Sequence, residues 1–418
     1  MGLTRRFTSR RGYVVTGLGI GQILSWGSTF YLLAVLAGPI ATDTGWSSSL
    51  VMAGVSVGLV IAGLGSPRVG ALVAGNHGRT VLIASALLLA LGLAVLGLAP
   101  NLWWYLGAWV ILGLGMSGGL YSGAFAVLGH TYGVSARSTI NLLTLFGGFA
   151  SSICWPLSAV LVNEVGWRWT ALAYAGAHLL ITAPLYALTI PRQPLAPTPE
   201  GGSRGPNSEA HRPVAPRWPL IVLVATISTL GTSTAALMSM HMFTLLAGIG
   251  IAGTAAVVLA ATIGPSQVGA RLIELVIGRK HHPLWTMLTA TCAMAVAISF
   301  LGLGIMVPAI LVIVYGVGIG LSSIANGTVP LALFGQEHYA RIMGRIALPS
   351  LLAQAAAPII GTVLIQNLGH RNTLMVLGGV TLLAFALAIW LMFLHRGKPK
   401  PCAPAPASEP SGLSALGS

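Results

Sequence analysis

The chain has 418 residues, of which 55% are hydrophobic and only 7% are charged, and it carries a net charge of +14 at pH 7. Soluble chains are roughly one-quarter charged, so this composition leaves too little polar surface for an ordinary soluble fold. The positive charge lies at the ends of apolar stretches rather than in one patch, which argues against nucleic-acid binding.

Residues 1–12 carry Arg5, Arg6, Arg10 and Arg11. Thr4-Arg5-Arg6-Phe7 has the look of a twin-arginine export signal. The apolar stretch behind it is too long for a signal core and lacks a small-x-small cleavage site, so the segment reads as a basic cytoplasmic anchor. Six apolar spans follow within 13–190, at about 13–39, 47–73, 80–99, 103–128, 139–162 and 170–190. Residues 191–217 read PRQPLAPTPEGGSRGPNSEAHRPVAPR. They hold too little apolar surface to offset the entropy of ordering and read as a flexible cytoplasmic linker. Six more spans fill 218–394, at about 218–248, 251–277, 284–302, 307–334, 343–365 and 373–394. The tail 395–418 reads as disordered. Several spans exceed the bilayer thickness, so they are expected to tilt.

Arg79, Arg137, Arg279, Lys280, Arg341, Arg345, Arg396, Lys398 and Lys400 fall on the side of the N-terminus and linker. The opposite loops hold Arg168 and Arg371. The positive-inside rule therefore places both termini and the linker in the cytoplasm. Trp46, Trp103, Trp104, Trp167 and Trp169 would mark the outer membrane interface, and Trp218 and Trp285 the inner one.

The two sets of spans repeat each other. Gly65 to Ala71 (GSPRVGA) in span 2 matches Gly264 to Ala270 (GPSQVGA) in span 8. Gly166-Trp167-Arg168-Trp169-Thr170 after span 5 matches Gly369-His370-Arg371-Asn372-Thr373 after span 11. Leu36-Ala37-Gly38 matches Leu246-Ala247-Gly248. Three matches in one order imply duplicated halves. The expected fold class is therefore an all-α integral membrane protein with twelve transmembrane helices in two pseudo-symmetric six-helix bundles.

On these features the chain resembles the major facilitator superfamily, over about residues 13–394. That family's marker between spans 2 and 3 is G-x-x-x-D-R-x-G-G-R. Here the stretch is Gly70-Ala71-Leu72-Val73-Ala74-Gly75-Asn76-His77-Gly78-Arg79. Gly70, Gly78 and Arg79 are kept, while Ala74 and Gly75 replace the charged pair. In the family those charges latch the cytoplasmic gate. Leu120-Tyr121-Ser122-Gly123-Ala124-Phe125 and the stretch from Gly327 to Gly335 look like a bacterial branch of unassigned substrate. The resemblance implies a secondary transporter of the bacterial cytoplasmic (inner) membrane, working as a monomer by alternating access. Its partners would be a small-molecule substrate, the lipid bilayer and, by expectation, a proton. The alternatives are a drug or metabolite exporter of the same fold, and a non-transporting membrane sensor or assembly protein.

Charge within lipid costs ~2.5–3.5 kcal/mol or more at a helix centre, so each intramembrane charge calls for a reason. Arg68 in span 2 either holds an anion, closes a gate or snorkels to headgroups. Arg271 and Glu274 in span 8 are spaced i, i+3 and can pair, as a gate or as a substrate or proton site. Monocarboxylate transporters of the family carry an acid and an Arg in span 8, in the reverse order. Glu274 stands at the end of span 8 that is repeat-related to the loop that lost its acid. Its expected target is the start of span 5 at Arg137, with Arg271 sharing the contact.

Tyr31 in span 1 and His241 in span 7 hold repeat-related positions and could line one cavity, with His241 otherwise a packing residue. His178 in span 6 reads as packing. Ser122 and Asn326 are small polar groups beside Gly115, Gly119 and Gly123 and beside Gly316 and Gly320, glycine runs that suit close helix approach. No acid lies mid-span, so the expected solute is neutral or anionic. Cys154, Cys292 and Cys402 have no metal or redox spacing, and no phosphate-binding Gly-Lys loop is present. No cofactor, metal or enzymatic activity is expected. On this topology, cysteine at position 77 (His77→Cys) reacts with an impermeant maleimide from the cytoplasm. Arg168→Cys reacts from the other side, and labelling of both from one side refutes it.

Overall fold

The protein is described by a computed structural model over residues 2–192, 218–251, 253–305 and 307–396. The expectations for the linker, the tail and Cys402 fall outside the described residues, as do the side chains of Arg5, Arg6 and Arg10. Arg11 is described, and its Nη2 donates to Ser135 Oγ at 3.2 Å.

Lipid offers no partner to backbone N–H and C=O groups, so a chain this apolar satisfies them along its own axis as helix. Among the described residues there is helix and no strand. In the first half, span 1 is split into Gly2–Gly27 and Leu33–Thr44. Span 2 is Ser48–Leu72 and span 3 is Gly78–Gly97. Span 4 is split into Leu102–Gly119 and Tyr121–Tyr132. Span 5 begins as Ala136–Gly148 and continues into Ala150–Ala177. That helix turns at Gly166 (φ 77°, ψ 169°) and carries on as span 6, through a π-helical turn at His178–Thr182 to Ala183–Thr189. In the second half, span 7 is Trp218–Gly248, span 8 is Gly253–Ala261 plus Ile263–Ile277, and span 9 is Pro283–Leu303. Pro308–Arg396 holds spans 10, 11 and 12, separated at Gly335 and Gly369.

The repeat is visible as backbone geometry. Gly369 has φ 78° and ψ 171°, nearly the values of Gly166. Both lie in the positive-φ region open to glycine. Two residues on, Arg168 Nη1 donates to Ala99 O at 2.8 Å, and Arg371 Nε donates to Gly302 O at 2.9 Å. Each arginine thus ties the span 5–6 or 11–12 turn to the end of span 3 or 9. Thr170 and Thr373 then donate to Gly166 O and Gly369 O.

The halves meet at the linker face, where the chain leaves at Arg192 and returns at Trp218. A Cβ on Gly70 of span 2 would lie 2.5 Å from Ala340 O and 3.2 Å from Gly344 Cα of span 11. A Cβ on Gly344 would lie 3.1 Å from Pro67 Cα. Only glycine allows the two backbones to cross this closely. One apolar cluster joins Phe125, Leu128 and Ile140 of the first half to Leu331, Tyr339 and Met343 of the second. Gln336 Nε2 donates to His130 O across the same seam at 2.8 Å. Toward the other face, Leu33–Thr44 and Gly253–Ala261 pack within their own halves, and Ile359, Ile360 and Val363 of span 11 are exposed. The molecule is closed at the linker face and parts away from it.

Trp103, Trp104, Trp169, Trp218 and Trp285 are exposed, as lipid-interface residues should be. Trp167 departs from the expectation. It is only 5% exposed, and its Nε1 donates to Asp43 Oδ2 at 3.0 Å. Trp46 packs edge-on against Tyr105 at 5.4 Å. Both rings serve the fold rather than the membrane surface.

Gly70→Val should keep the protein folded, because the residue is helical with ordinary φ, but forbid closure of the linker face. The closed state should lose about 1–3 kcal/mol. Spin-label distances between spans 2 and 11 at that face would lengthen, and an unchanged distance distribution would refute the crossing as the closure.

Candidate functional site

Spans 1, 4 and 5 each break inside the first half, at Ser28–Leu32, at Leu120 and at Phe149. Broken helices free backbone groups in a setting where water is scarce, and they do so where the site is built. The breaks gather aromatic side chains. Trp26 lies 6.0 Å from Tyr31 and 5.1 Å from Tyr121, ring centre to ring centre. Tyr31 meets Phe30 at 5.5 Å and Trp155 at 5.8 Å, both edge to face. Tyr121 stacks on Phe125 at 5.1 Å. The rings form one cluster at the level of the breaks.

Arg271 of span 8 reaches this cluster from the other half. Its Nη1 donates to Thr144 O of span 5 at 2.9 Å, and Tyr121 Oη donates to the same carbonyl at 3.3 Å. Its Nη2 donates to Gln267 Oε1 at 3.3 Å, and its Nε to Gly320 O of span 10 at 3.5 Å. The approach depends on Gly147 and Gly148. A Cβ on Gly147 would strike the Tyr121 hydroxyl, and one on Gly148 would strike Arg271 Nη1. Arg271 is 5% exposed, and its charge reaches both the Tyr31 and the Tyr121 phenol.

Glu274 does not pair with Arg271. It turns to the linker face, where Thr286 Oγ1 donates to its Oε1 at 2.7 Å. Arg137 Nη2 of the first half stands 3.8 Å from Oε1, and His281 Nε2 stands 3.5 Å from Oε2. Arg137 Nη1 also donates to His281 O at 2.7 Å. The contact with the start of span 5 is thus present, without Arg271 in it. The i, i+3 pair fails because each member already has better-placed partners on neighbouring helices. Beside this group, His282 caps span 9 by accepting from Leu284 N and stacks on His395 at 4.6 Å. Burial holds the His282 imidazole below its usual pKa, and His395, Arg137 and His281 push the same way. Close by, a His130 ring nitrogen lies 2.8 Å from Asn76 Oδ1.

The remaining expected residues are scattered. Tyr31 joins the aromatic cluster, but His241 turns to its own half, with Nε2 3.3 Å from Pro358 O and the ring against Gly361. Ser122 borders a small gap with Ser66, Gly70 and Gly344 between spans 2, 4 and 11. Asn326 Oδ1 accepts from Ser228 Oγ at 3.0 Å inside the second half. Arg68 is exposed. Arg79 Nη2 donates to Ala187 O of span 6, and Gly78 packs on Val127. Trp26, Tyr121, Phe125, Trp155 and Thr144 were missed by sequence reasoning. The available signal was aromatic residues in mid-span, away from the membrane interfaces.

Two outcomes follow for the Arg137–Glu274 contact. A double-mutant cycle with Arg137→Gln and Glu274→Gln, read by linker-face closure, should give a coupling of ~0.5–3 kcal/mol. His282 has a depressed pKa in the closed form. Its contribution is therefore complete above 6.5, the ordinary imidazole value, and is lost as pH falls below it. Spin-label distances across the face should widen on acidification, less so in His282→Gln, and pH-independent closure would refute this.

The sequence pattern described as Major Facilitator Superfamily matches residues 18–344 and 310–417. No curated protein matches the chain in sequence. Among solved structures, the human organic anion transporter MFSD10 (TETRAN) superposes with a TM-score of 0.71 at 18% identity, over 90% of this chain and 99% of that one. The proton:xylose symporter XylE, bound to 6-bromo-6-deoxy-D-glucose, superposes with a TM-score of 0.68 at 12% identity, over 94% of this chain and 96% of that one. At such identities the likeness carries the fold of twelve spans in two six-helix bundles. The family match spans most of the chain, and the protein belongs to the major facilitator superfamily, whose members are membrane transporters.

Proposed function

We propose that the protein is a secondary active transporter that moves a small organic anion by alternating access, with Arg271 holding the anionic group. One observation carries this reading. Arg271 is buried between the halves, and no carboxylate lies within 4.0 Å of it among the described residues. A charge inside lipid without a counter-ion is costly, and carbonyl and amide oxygens solvate it without neutralising it. An anionic solute supplies the missing charge. The rings of Trp26, Tyr31 and Tyr121 beside it suit a flat apolar body. A carboxylate on an aromatic or conjugated frame is the chemistry that fits.

Closure at one face and parting toward the other is the geometry of one end of a rocking cycle between residues 13–190 and 218–394. With the linker face cytoplasmic by the positive-inside rule, this end faces outward across a bacterial inner membrane. A co-transported proton would compensate the anion's charge and supply the driving gradient. One structural relative is described as an organic anion transporter and another as a proton symporter. Those are properties of those proteins, and the reading here rests on Arg271.

Thermal stabilisation of the purified protein tests it. Aromatic carboxylates such as 2-naphthoate should raise the melting temperature where hydrophobic cations and sugars do not. Arg271→Gln should weaken that effect by about 10- to 100-fold in affinity, and Arg271→Lys should retain part of it. Equal stabilisation by cations, or undiminished affinity in Arg271→Gln, overturns the proposal.

A further inference from the structure

Span 6 carries a polar side chain at every fourth residue: Thr170, Tyr174, His178, Thr182 and Tyr186. That spacing places all five on one stripe, about 24 Å long at the helical rise. All five are buried, with exposures between 0% and 2%. Gln22, Ser25 and Ser28 of span 1 are equally buried and meet the stripe. Ser28 Oγ lies 2.8 Å from His178 Nε2, and the Tyr186 hydroxyl lies beside Gln22 and Ser25. Toward the opposite face the file continues through Tyr174 Oη, 2.8 Å from Ser158 Oγ.

Helical Ser and Thr usually discharge their hydroxyl on the carbonyl four residues back. Thr189 does so on Leu185 O, and Thr29 does so on Ser25 O. Thr182 does not. The backbone makes a π turn over His178–Thr182, and Ala183 N–H takes the His178 carbonyl. Thr182 Oγ1 and His178 Nδ1 are buried with no hydrogen bond among the described residues, while Tyr186 Oη and Ser25 Oγ lie within reach of each other. Two such atoms facing the π turn call for the partner that buried polar groups normally find, which is ordered water. π turns of this kind recur at functional positions. The elements packed on the stripe are spans 1, 3 and 5 and the rest of span 6. Their charged residues lie at the two ends, with Arg79 on Ala187 O and Arg168 on Ala99 O. The other titratable groups along the file are Tyr174, Tyr186 and Cys154, whose Sγ meets Ile23 O.

We infer that this stripe is a hydrated, proton-carrying seam inside the first half, with water bound between Thr182 Oγ1 and His178 Nδ1 and with His178 as the relay group. The imidazole takes a proton on one nitrogen, forming an N–H bond, and releases one from the other, breaking an N–H bond. Nothing is oxidised or reduced, and the ring ends as the other neutral tautomer. The seam stands apart from Arg271 and does not depend on which solute is carried.

Deuterium labelling of the full-length protein in lipid nanodiscs tests it, read by mass spectrometry at the imidazole C2 position. That exchange passes through the imidazolium, so it reports delivery of protons to the ring. His178 should acquire measurable label despite its complete burial, where a dry, sealed ring would acquire none. Thr182→Val keeps the side-chain shape and removes one water partner. It should slow His178 labelling about tenfold, the rate equivalent of one hydrogen bond, and leave His77 unchanged. Ser28→Ala, which removes the partner of His178 Nε2, is the second variant should Thr182→Val fail to fold. An unlabelled His178 beside a fully labelled His77, or an unchanged His178 rate in the folded variants, reduces the stripe to packing and overturns the inference.

Discussion

At Gly70 and Gly344, two membrane-spanning helices from opposite halves cross with backbone against backbone. In lipid there is no hydrophobic gain in bringing two helices together, so their association depends on contact quality. Small residues at the crossing supply that contact, and the apolar cluster around Phe125 and Tyr339 extends it. A side chain at either glycine would hold spans 2 and 11 apart. Everything else at the linker face is arranged around this closure, including the Gln336–His130 bond and the approach of Arg137 to Glu274.

The closure also brings Arg271 to the aromatic cluster of the first half. Span 8 carries Arg271 and Glu274 less than one turn apart, and they are used in different places. Arg271 crosses to the Thr144 carbonyl beside the aromatic cluster, while Glu274 faces Arg137 and His281 at the linker face. A movement of span 8 relative to span 5 changes both contacts at once. The Arg271–Thr144 contact and the Arg137–Glu274 contact at the linker face are thereby linked through one helix, a physical connection that needs no longer chain of residues.

Breaks in spans 1, 4 and 5 give the first half its polar and aromatic interior, and none of them has a proline at the break. At Leu120 and Phe149 the helix is interrupted just after Gly118-Gly119 and Gly147-Gly148. Glycine lowers the cost of leaving helical geometry, and here it also lets Tyr121 and Arg271 come up to the backbone. The second half has a straighter span 7, so the duplicated sequence has produced unequal interiors.

Much of the fold was legible in the amino-acid sequence because its causes are local. Apolar runs long enough to cross a bilayer mark the spans, and the Gly-x-Arg-x-Thr repeat marks two turns that share φ, ψ and hydrogen bonds. The loss of the loop acid at Ala74 and the survival of Glu274 were likewise readable, and so was the helix start that Glu274 approaches. The site was legible only in part. Arg271 stood out as a costly intramembrane charge, yet its neighbour at i+3 was not its partner. Tyr31 and His241 hold repeat-related positions, but His241 packs on span 11 of its own half. Helical periodicity states which residues share a face, not which helix that face will meet or where a span will bend. The meeting of Arg271 with Thr144, Tyr121 and Tyr31 was therefore decided by tertiary packing alone. It depends on glycine-lined crossings between helices far apart in sequence, and on breaks that turn mid-span aromatics toward one another.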